Sequence, residues 1–342
     1  LSLRDLLEEI NRQVTYSTVP TGLALSAGVD SSSLLVAMSR HRETEFVPII
    51  VNVSKEGTSQ EALEAIQSCK LLGIEPQLIN HLDSTELVPR LISLSAANDQ
   101  PHADPSGLSY LSIFQVAKSM GLKVILLGHG PDELFWGYPW FNDRIVKLEE
   151  KSWRRKAKIP PYWNTPGKTS RLLWSLGYED VDAENLADFA TDRYLQSENI
   201  WEKSRAEMVH KYLSPNGLRQ SDRLAMASGI EPRTPYADAR LYGWAQRNSI
   251  KSNEAFDKRE FRESVDLGLL TSTRNRKKEG FASPMSTWYQ NSDVNDLARI
   301  SLNEIFTLNL DWRLTPRFQL LSPSEKYRVT MLGSWLRHIK NL

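Results

Sequence analysis

The chain has 342 residues, 40% of them apolar and 25% charged, enough apolar material to bury the core of one large domain or two intimate ones. Its 42 basic and 42 acidic side chains cancel, so no net field draws the surface toward nucleic acid or an acidic membrane. A single cysteine, Cys69, excludes an intrachain disulfide and an all-cysteine metal site. It follows Ala62 and Ile66 at helical spacing, which predicts a core position and fits a reducing compartment. No apolar run approaches the roughly 20 residues that span a bilayer, and the N-terminus lacks the charged-then-apolar layout of a signal peptide. The expected location is the cytoplasm, with neither nucleic acid nor membrane as a partner. The chain opens on Leu1 rather than Met, as a portion of a longer product would.

Ser2 and Asp5 have the spacing of a capping box, and Leu3, Leu6, Leu7, Ile10 and Val14 recur at three and four residues, which predicts an amphipathic packing helix. Strands are then expected at 22–25, 46–53, 76–80 and 123–127, with helices at 31–39, 58–72, 82–97 and 108–120. Such β-α alternation, with continuous apolar strands, predicts an α/β fold: a parallel twisted sheet with helices on both faces. After about Tyr138 the strand pattern fades and a mainly helical C-terminal half is expected. Pro160, Pro161, Pro166 and Gly167 mark a long loop beside the basic cluster Lys151, Arg154, Arg155, Lys156 and Lys158, read as a solvated face. There is no internal repeat and no low-complexity tract.

The most informative segment runs from Leu23 to Ser33, where an apolar strand breaks into small residues and hydroxyls before an apolar helix. A helix N-terminus offers unpaired N–H groups and a positive dipole end, a prepared seat for phosphate. Ser26, Ser31 and Ser32 add hydroxyl donors, and Gly28 lets the backbone approach a ligand closely. Asp30 belongs beside phosphates only if a cation intervenes, and Mg2+ suits that position because it takes one or two carboxylates plus phosphate oxygens and water. No Gly-Lys-Ser/Thr follows, so this is not a Walker loop. The fourth predicted strand leads into a second turn, Gly128-His129-Gly130-Pro131-Asp132-Glu133. Ligands of open parallel sheets sit beyond the carboxyl ends of strands, so both turns are expected to face one crevice, with Asp132 as the second metal carboxylate.

The first segment resembles the SGGxDS pyrophosphate loop of the ATP pyrophosphatase superfamily, with Ala27 in place of one glycine. A Cβ is costly at positive φ, so Ala27 is expected to have an ordinary backbone conformation. The second motif is similar to GEGSDE-FGGY in the synthetase domain of class B asparagine synthetases. The stretch from Asp222 to Asp238 resembles that family's DR-MA-GLE-R-PFLD. Lys258 with Arg262 resembles its K-x-x-x-R element, and Arg276-Lys277-Lys278-Glu279-Gly280-Phe281 its R-x-K-x-x-F element. Five motifs in order from Ser26 to Phe281 are more specific than any one alone.

The resemblance implies one asparagine-synthetase-like domain over 1–342: an adenine nucleotide alpha hydrolase-like, PP-loop part at 1–140, and a mainly helical part at 141–342 that contributes catalytic lysines. It implies ATP and Mg2+ as cofactors, and a small-molecule carboxylate and ammonia or an amine as substrates. The carboxylate would be adenylated with release of pyrophosphate, and the nitrogen would then displace AMP. Lys258 matches the family's pyrophosphate-contacting lysine and Lys278 its central catalytic lysine. Leu25, Val51, Leu127 and Gly128 match the strand-end positions that hold adenine, while Glu231, Arg233 and Asp238 are expected to stabilise the junction of the two parts.

Two departures stand out. His129 stands where asparagine synthetases carry Glu and β-lactam synthetases Tyr; it is a candidate acceptor for a proton from the attacking nitrogen. Trp136 replaces a family glycine, either narrowing the crevice or packing. The resemblance further implies that ammonia comes from bulk, from a partner, or from a glutaminase domain of the full-length protein. Intramolecular amide closure, as in β-lactam synthetases, and an inactive nucleotide-binding scaffold are the alternative readings.

Overall fold

Short runs that are apolar on both faces can be satisfied only inside a covered parallel sheet, and that is how the N-terminal half folds. A computed structural model describes residues 1–40, 46–54, 57–80, 84–149, 199–276, 285–306, 318–319 and 321–341. In it β1 (Thr21–Ala24), β2 (Phe46–Val51), β3 (Gln77–Ile79), β4 (Val124–Leu126) and β5 (Glu231–Arg233) form one sheet in the order β3-β2-β1-β4-β5. Every pairing is parallel; Thr21 faces Phe46 on one side of β1 and Val124 on the other. Helices α1 (Leu3–Thr15), α2 (Val29–Arg40), α3 (Gln60–Leu71), α4 (Ser84–Ala97) and α5 (Gly107–Ser119) precede β4. Since β1 runs to β2 on one side and β4 lies on its other side, the strand order reverses at the β1/β4 boundary. Right-handed crossovers place helices on both faces of such a sheet, and a crevice opens where the order reverses.

The first expected helix is present with its capping box intact: Ser2 Oγ accepts from the Asp5 N–H at 3.2 Å, and the Ser2 N–H donates to the Asp5 carboxylate at 3.2 Å. Leu3, Leu6, Leu7 and Ile10 pack into a core shared with Leu23, Leu34, Leu35, Ile50, Cys69 and Leu126. Cys69 is fully buried, as its spacing predicts. The fifth strand is absent from the sequence reading. Glu-Pro-Arg carries no strand signal, and Pro232 is tolerated because this is an edge strand that needs fewer donors. Its position is set by the Glu231 N–H donating to the Lys123 carbonyl and the Leu127 N–H donating to the Arg233 carbonyl, both at 2.8 Å.

The chain divides into two compact units that interleave in sequence. One comprises Leu1–His81, Ser109–Ile145 and Asn199–Ala282, the other Leu82–Leu108, Val146–Glu198 and Ser283–Leu342. The first holds the whole sheet. In the second, the long helices Ser292–Phe306 and Pro323–Lys340 pack with α4, and Gly333 lies so close to the Ser301 carbonyl that a Cβ there would overlap it. The C-terminal half is mainly helical, as expected, with a π-helical stretch at Met208–Leu218. The expected 160–167 loop and the basic cluster at 151–158 lie outside the described residues. Among the described residues no helix is long and apolar enough to cross a membrane.

Candidate functional site

At the carboxyl end of β1 the chain turns over Leu25 to Gly28 and enters α2. The Leu25 N–H still donates to the Ile49 carbonyl at 2.9 Å, so the turn starts from a fixed strand. Ser31 then folds back on the turn: its hydroxyl donates to the Ser26 carbonyl at 2.9 Å and accepts from the Ser26 N–H at 3.1 Å, while the Gly28 N–H donates to Ser26 Oγ at 3.2 Å. Ser32 is wholly buried, and its hydroxyl has no hydrogen-bond partner among the described residues. Positive φ outside glycine is confined, among the described residues, to Trp136, Asp257 and Lys258. Ala27 therefore keeps an ordinary backbone, as expected from the side chain it carries.

The turn after β4 lies against this loop. A Cβ on Gly128 would sit 3.1 Å from the Ser31 nitrogen and 3.2 Å from Asp30 Cβ, so the two strand-end turns touch through a residue with no side chain. Gly130 (φ 118°) leads into the short helix α6 (Pro131–Leu134), and a Cβ there would overlap the Tyr236 carbonyl. Gly137 leaves room for the Asp132 carboxylate in the same way. Tyr236 is fully buried; its hydroxyl lies 2.7 Å from Ser33 Oγ, linking the segment after β5 to α2.

Lys258 enters between the two turns. Its Nζ donates to Asp30 Oδ1 at 2.9 Å and Oδ2 at 2.7 Å, and stands 2.8 Å from Asp132 Oδ1. The residue is 3% exposed. Burial pulls its pKa down, but the carboxylates of Asp132 and Asp30 outweigh burial and hold it above the ordinary lysine value. Three charged groups drawn from positions 30, 132 and 258 thus meet at the reversal point of the sheet.

The backbone that aims Lys258 is strained. Asp257 and Lys258 both have left-handed φ, 59° and 58°, at a cost of roughly 1–2 kcal/mol for each non-glycine residue. Arg262, which is 7% exposed, holds the turn: Nε donates to the Asp257 carbonyl at 2.6 Å and Nη2 pairs with Asp257 Oδ1 at 3.1 Å. The same guanidinium donates to the Arg276 carbonyl at 2.9 Å and to the Arg274 carbonyl. It thereby fixes the chain at Arg274 and Arg276. Trp136 is also left-handed (φ 60°) and only 1% exposed. Its indole meets Trp201 edge-on at 5.2 Å and lies under the Arg205 guanidinium at 4.7 Å. Of the two roles open to Trp136 in the sequence, packing is the one it performs. Burial lowers the Arg205 pKa to about 10, and its donors go to the Leu134 and Ala245 carbonyls and to Ser249.

His129 is half-buried in the second turn, its ring 5.3 Å from that of Tyr110. Gly217 of the π-helical stretch faces it, with a would-be Cβ 3.6 Å from His129 Nδ1. Nearby, Tyr138 donates to Glu133 Oε1 at 2.7 Å; burial, then the Glu133 and Asp132 charges, push its phenol pKa well up, so it stays a neutral donor. Leu25 and Leu127 are buried and Val51 is half-buried, at or just beyond the ends of β1, β4 and β2. Lys278 lies outside the described residues. Arg233 donates to the Tyr16 carbonyl at 2.9 Å, and Asp238 caps the helix Ala239–Asn248 while pairing with Arg240, which reaches Glu9 at 3.0 Å. These contacts tie α1 and the turn after it to β5 and the segment that follows. Sequence reasoning missed Asp257, Arg205 and Tyr236; a left-handed Asp-Lys pair and a buried arginine leave no local pattern to read.

Among the described residues no group of three or more His, Cys, Asp or Glu gathers to hold a metal. Asp30 and Asp132 alone do not make a resident metal centre. They fit a cation that arrives with most of its own oxygen ligands, and Mg2+ carried on phosphates is such an ion.

The fold and cluster define a class first: a doubly wound parallel α/β domain whose charged groups sit at the reversal of strand order, where such sheets bind ligands. The asparagine synthase family profile matches residues 2–323, and the chain belongs to that family. It is 23% identical over 346 residues to glutamine-hydrolyzing asparagine synthetase 1 of Bacillus subtilis, covering 88% of this chain and 52% of that protein. A putative glutamine-hydrolyzing asparagine synthetase of Mycobacterium tuberculosis is 24% identical over 86% of this chain and 49% of its own length. The amidase chyE of Penicillium rubens is 26% identical over 83% and 52%. The chain spans about half the length of the curated relatives it matches. Among solved structures, the tRNA thiolase NcsA of Methanococcus maripaludis aligns with 66% of this chain and 76% of its own at 12% identity and a TM-score of 0.30, too loose a likeness to carry an argument.

Proposed function

We propose that this chain is the synthetase part of an ATP-dependent amide-forming ligase, which adenylates a carboxylate, releases pyrophosphate and passes the acyl group to ammonia or an amine. The observation that carries the reading is the convergence of Asp30, Asp132 and Lys258 where β1 and β4 end, in a chain of the asparagine synthase family. In this reading the N–H groups at the start of α2, with the hydroxyls of Ser26, Ser31 and Ser32, receive the pyrophosphate end of ATP. The buried Ser32 hydroxyl, without a protein partner among the described residues, supports that assignment. Asp30 and Asp132 would hold Mg2+, which supplies charge neutralisation across the phosphates. Leu25, Val51, Leu127 and Gly128 would border the adenine.

Lys258 then serves the pyrophosphate and Lys278 the α-phosphate and the tetrahedral intermediate. A fixed cation aimed at developing charge is commonly worth about 10²- to 10³-fold in rate. His129, three residues before Asp132 in sequence and half-buried beside Tyr110, takes the proton from the attacking nitrogen. Ammonia reaches the site from bulk, from a partner, or from a glutaminase domain of the full-length protein. The test is a panel of carboxylic acids assayed for substrate-dependent exchange of pyrophosphate into ATP, followed by ammonium-dependent AMP release. Exchange with at least one acid, and amide on adding ammonium or an amine, is the expected result. No exchange with any acid, while ATP still binds, would leave only the inactive nucleotide-binding scaffold.

A further inference from the structure

The Lys258 ammonium occupies the position between Asp30 and Asp132 that a bound cation would need. All of its reach is spent there: two hydrogen bonds go to the Asp30 carboxylate, and its charge lies 2.8 Å from Asp132. In that pose it has nothing to offer a phosphate. While the lysine lies between them, both Asp30 oxygens and Asp132 Oδ1 face its ammonium, the place a metal shared by the two carboxylates would take. The pose is not a chance of a floppy side chain, since the residue is 3% exposed and the backbone at Asp257 and Lys258 is held left-handed. The holding contacts are the Asp257 N–H on the Trp136 carbonyl at 3.1 Å, and Arg262 on Asp257.

Taking the proposed nucleotide site as given, we propose that Lys258 is an internal counter-cation that makes the site selective for a metal–nucleotide complex. Without nucleotide its ammonium excludes a free divalent cation from the Asp30–Asp132 pair. Free nucleotide meets a cluster whose two carboxylates outnumber its one ammonium and is repelled. When metal and phosphates enter together, the carboxylates change partner to the metal and the ammonium changes partner to phosphate, so every charge keeps a counter-charge throughout. Metal and nucleotide then bind with positive coupling, because each needs the other to release Lys258. Retaining the lysine also spares the empty site the cost of two half-buried carboxylates without a counter-charge.

The experiment uses Mn2+ as the spectroscopic probe, titrated by electron paramagnetic resonance into wild type, Lys258→Met and Lys258→Arg, with and without a non-hydrolysable ATP analogue. Thermal unfolding is followed in parallel. Wild type and Lys258→Arg should show no saturable Mn2+ binding until the analogue is added. Lys258→Met should bind Mn2+ alone saturably, with an affinity at least about tenfold above the detection limit at which wild type shows none, since one competing like charge has gone, and Mn2+ should raise its melting temperature but not that of wild type. Saturable binding of Mn2+ to nucleotide-free wild type overturns the proposal, and this holds even if Lys258→Met does not fold. Equal binding by wild type and Lys258→Met without analogue overturns it too, while leaving the metal–nucleotide site standing. If no protein binds Mn2+ even with the analogue, the underlying functional reading fails together with it.

Discussion

The main-chain N–H of Asp257 donates to the carbonyl of Trp136 at 3.1 Å, joining two left-handed residues that lie 121 positions apart. One end of this bond sits in the aromatic packing of Trp201 and Arg205, and the other sits one residue before Lys258. Packing remote from the charged cluster thus helps to set where the lysine points. Deleting the indole should cost about 3–5 kcal/mol in Trp136→Ala. Trp136→Gly should cost about 1 kcal/mol less, the reverse of the usual order, because glycine adopts φ near 60° without strain. Urea unfolding of the two variants checks the order.

Glycines in the two turns should divide by what lies next to them. Gly130→Ala places a Cβ at φ 118° against the Tyr236 carbonyl, a backbone group that cannot swing away. A loss of about 2–4 kcal/mol is expected. Gly28 has no positive φ, and its would-be Cβ meets only Ser26 Oγ at 3.2 Å. Gly28→Ala should stay within about 1 kcal/mol of wild type yet bind ATP more weakly, since the added methyl intrudes on the phosphate seat. Denaturant unfolding and nucleotide titration on the same samples separate the two effects.

Cys69 is fully buried, and burial, with the Glu75 charge, pushes its thiol pKa to about 12 from an ordinary 9.0. Its thiolate is disfavoured in the fold, so stability falls as pH rises above 9.0, where the unfolded chain loses the proton and the native one keeps it, and the decline ends near 12. Alkylation at pH 8 should be slow in native protein and fast in urea. Cys69→Ala should flatten the alkaline decline in stability.

His129→Gln should separate the two half-reactions. Loss of a general base is expected to slow amide formation by about 10²- to 10⁴-fold. Pyrophosphate exchange, which needs no base on the nitrogen, should stay near wild type. Equal turnover of variant and wild type in the complete reaction would rule out the base.

Much of this architecture was legible because its signals are local. The Ser2–Asp5 box, the apolar runs of β1 to β4 and the small residues at 26–28 each declare a structure within a few positions. Asp30 and Asp132 were legible for a topological reason: both follow strands, and strand ends of a parallel sheet converge. The strand at Glu231–Arg233 was not, because its Pro-centred sequence is a strand only by pairing with β4. The left-handed pair Asp257–Lys258 was equally hidden, since Arg262 and Trp136 impose it from outside. The interleaving of the two compact units arises from contacts between distant segments, which periodicity does not record.

The most direct measurement is calorimetric titration of Mg-ATP into wild type, Asp30→Asn and Asp132→Asn, with folding of each checked by circular dichroism. If the two strand-end turns share one metal–triphosphate, each substitution should weaken binding by more than about tenfold. Wild-type affinity in both folded variants would contradict the account, because the nucleotide would then have to bind somewhere other than between residues 30 and 132.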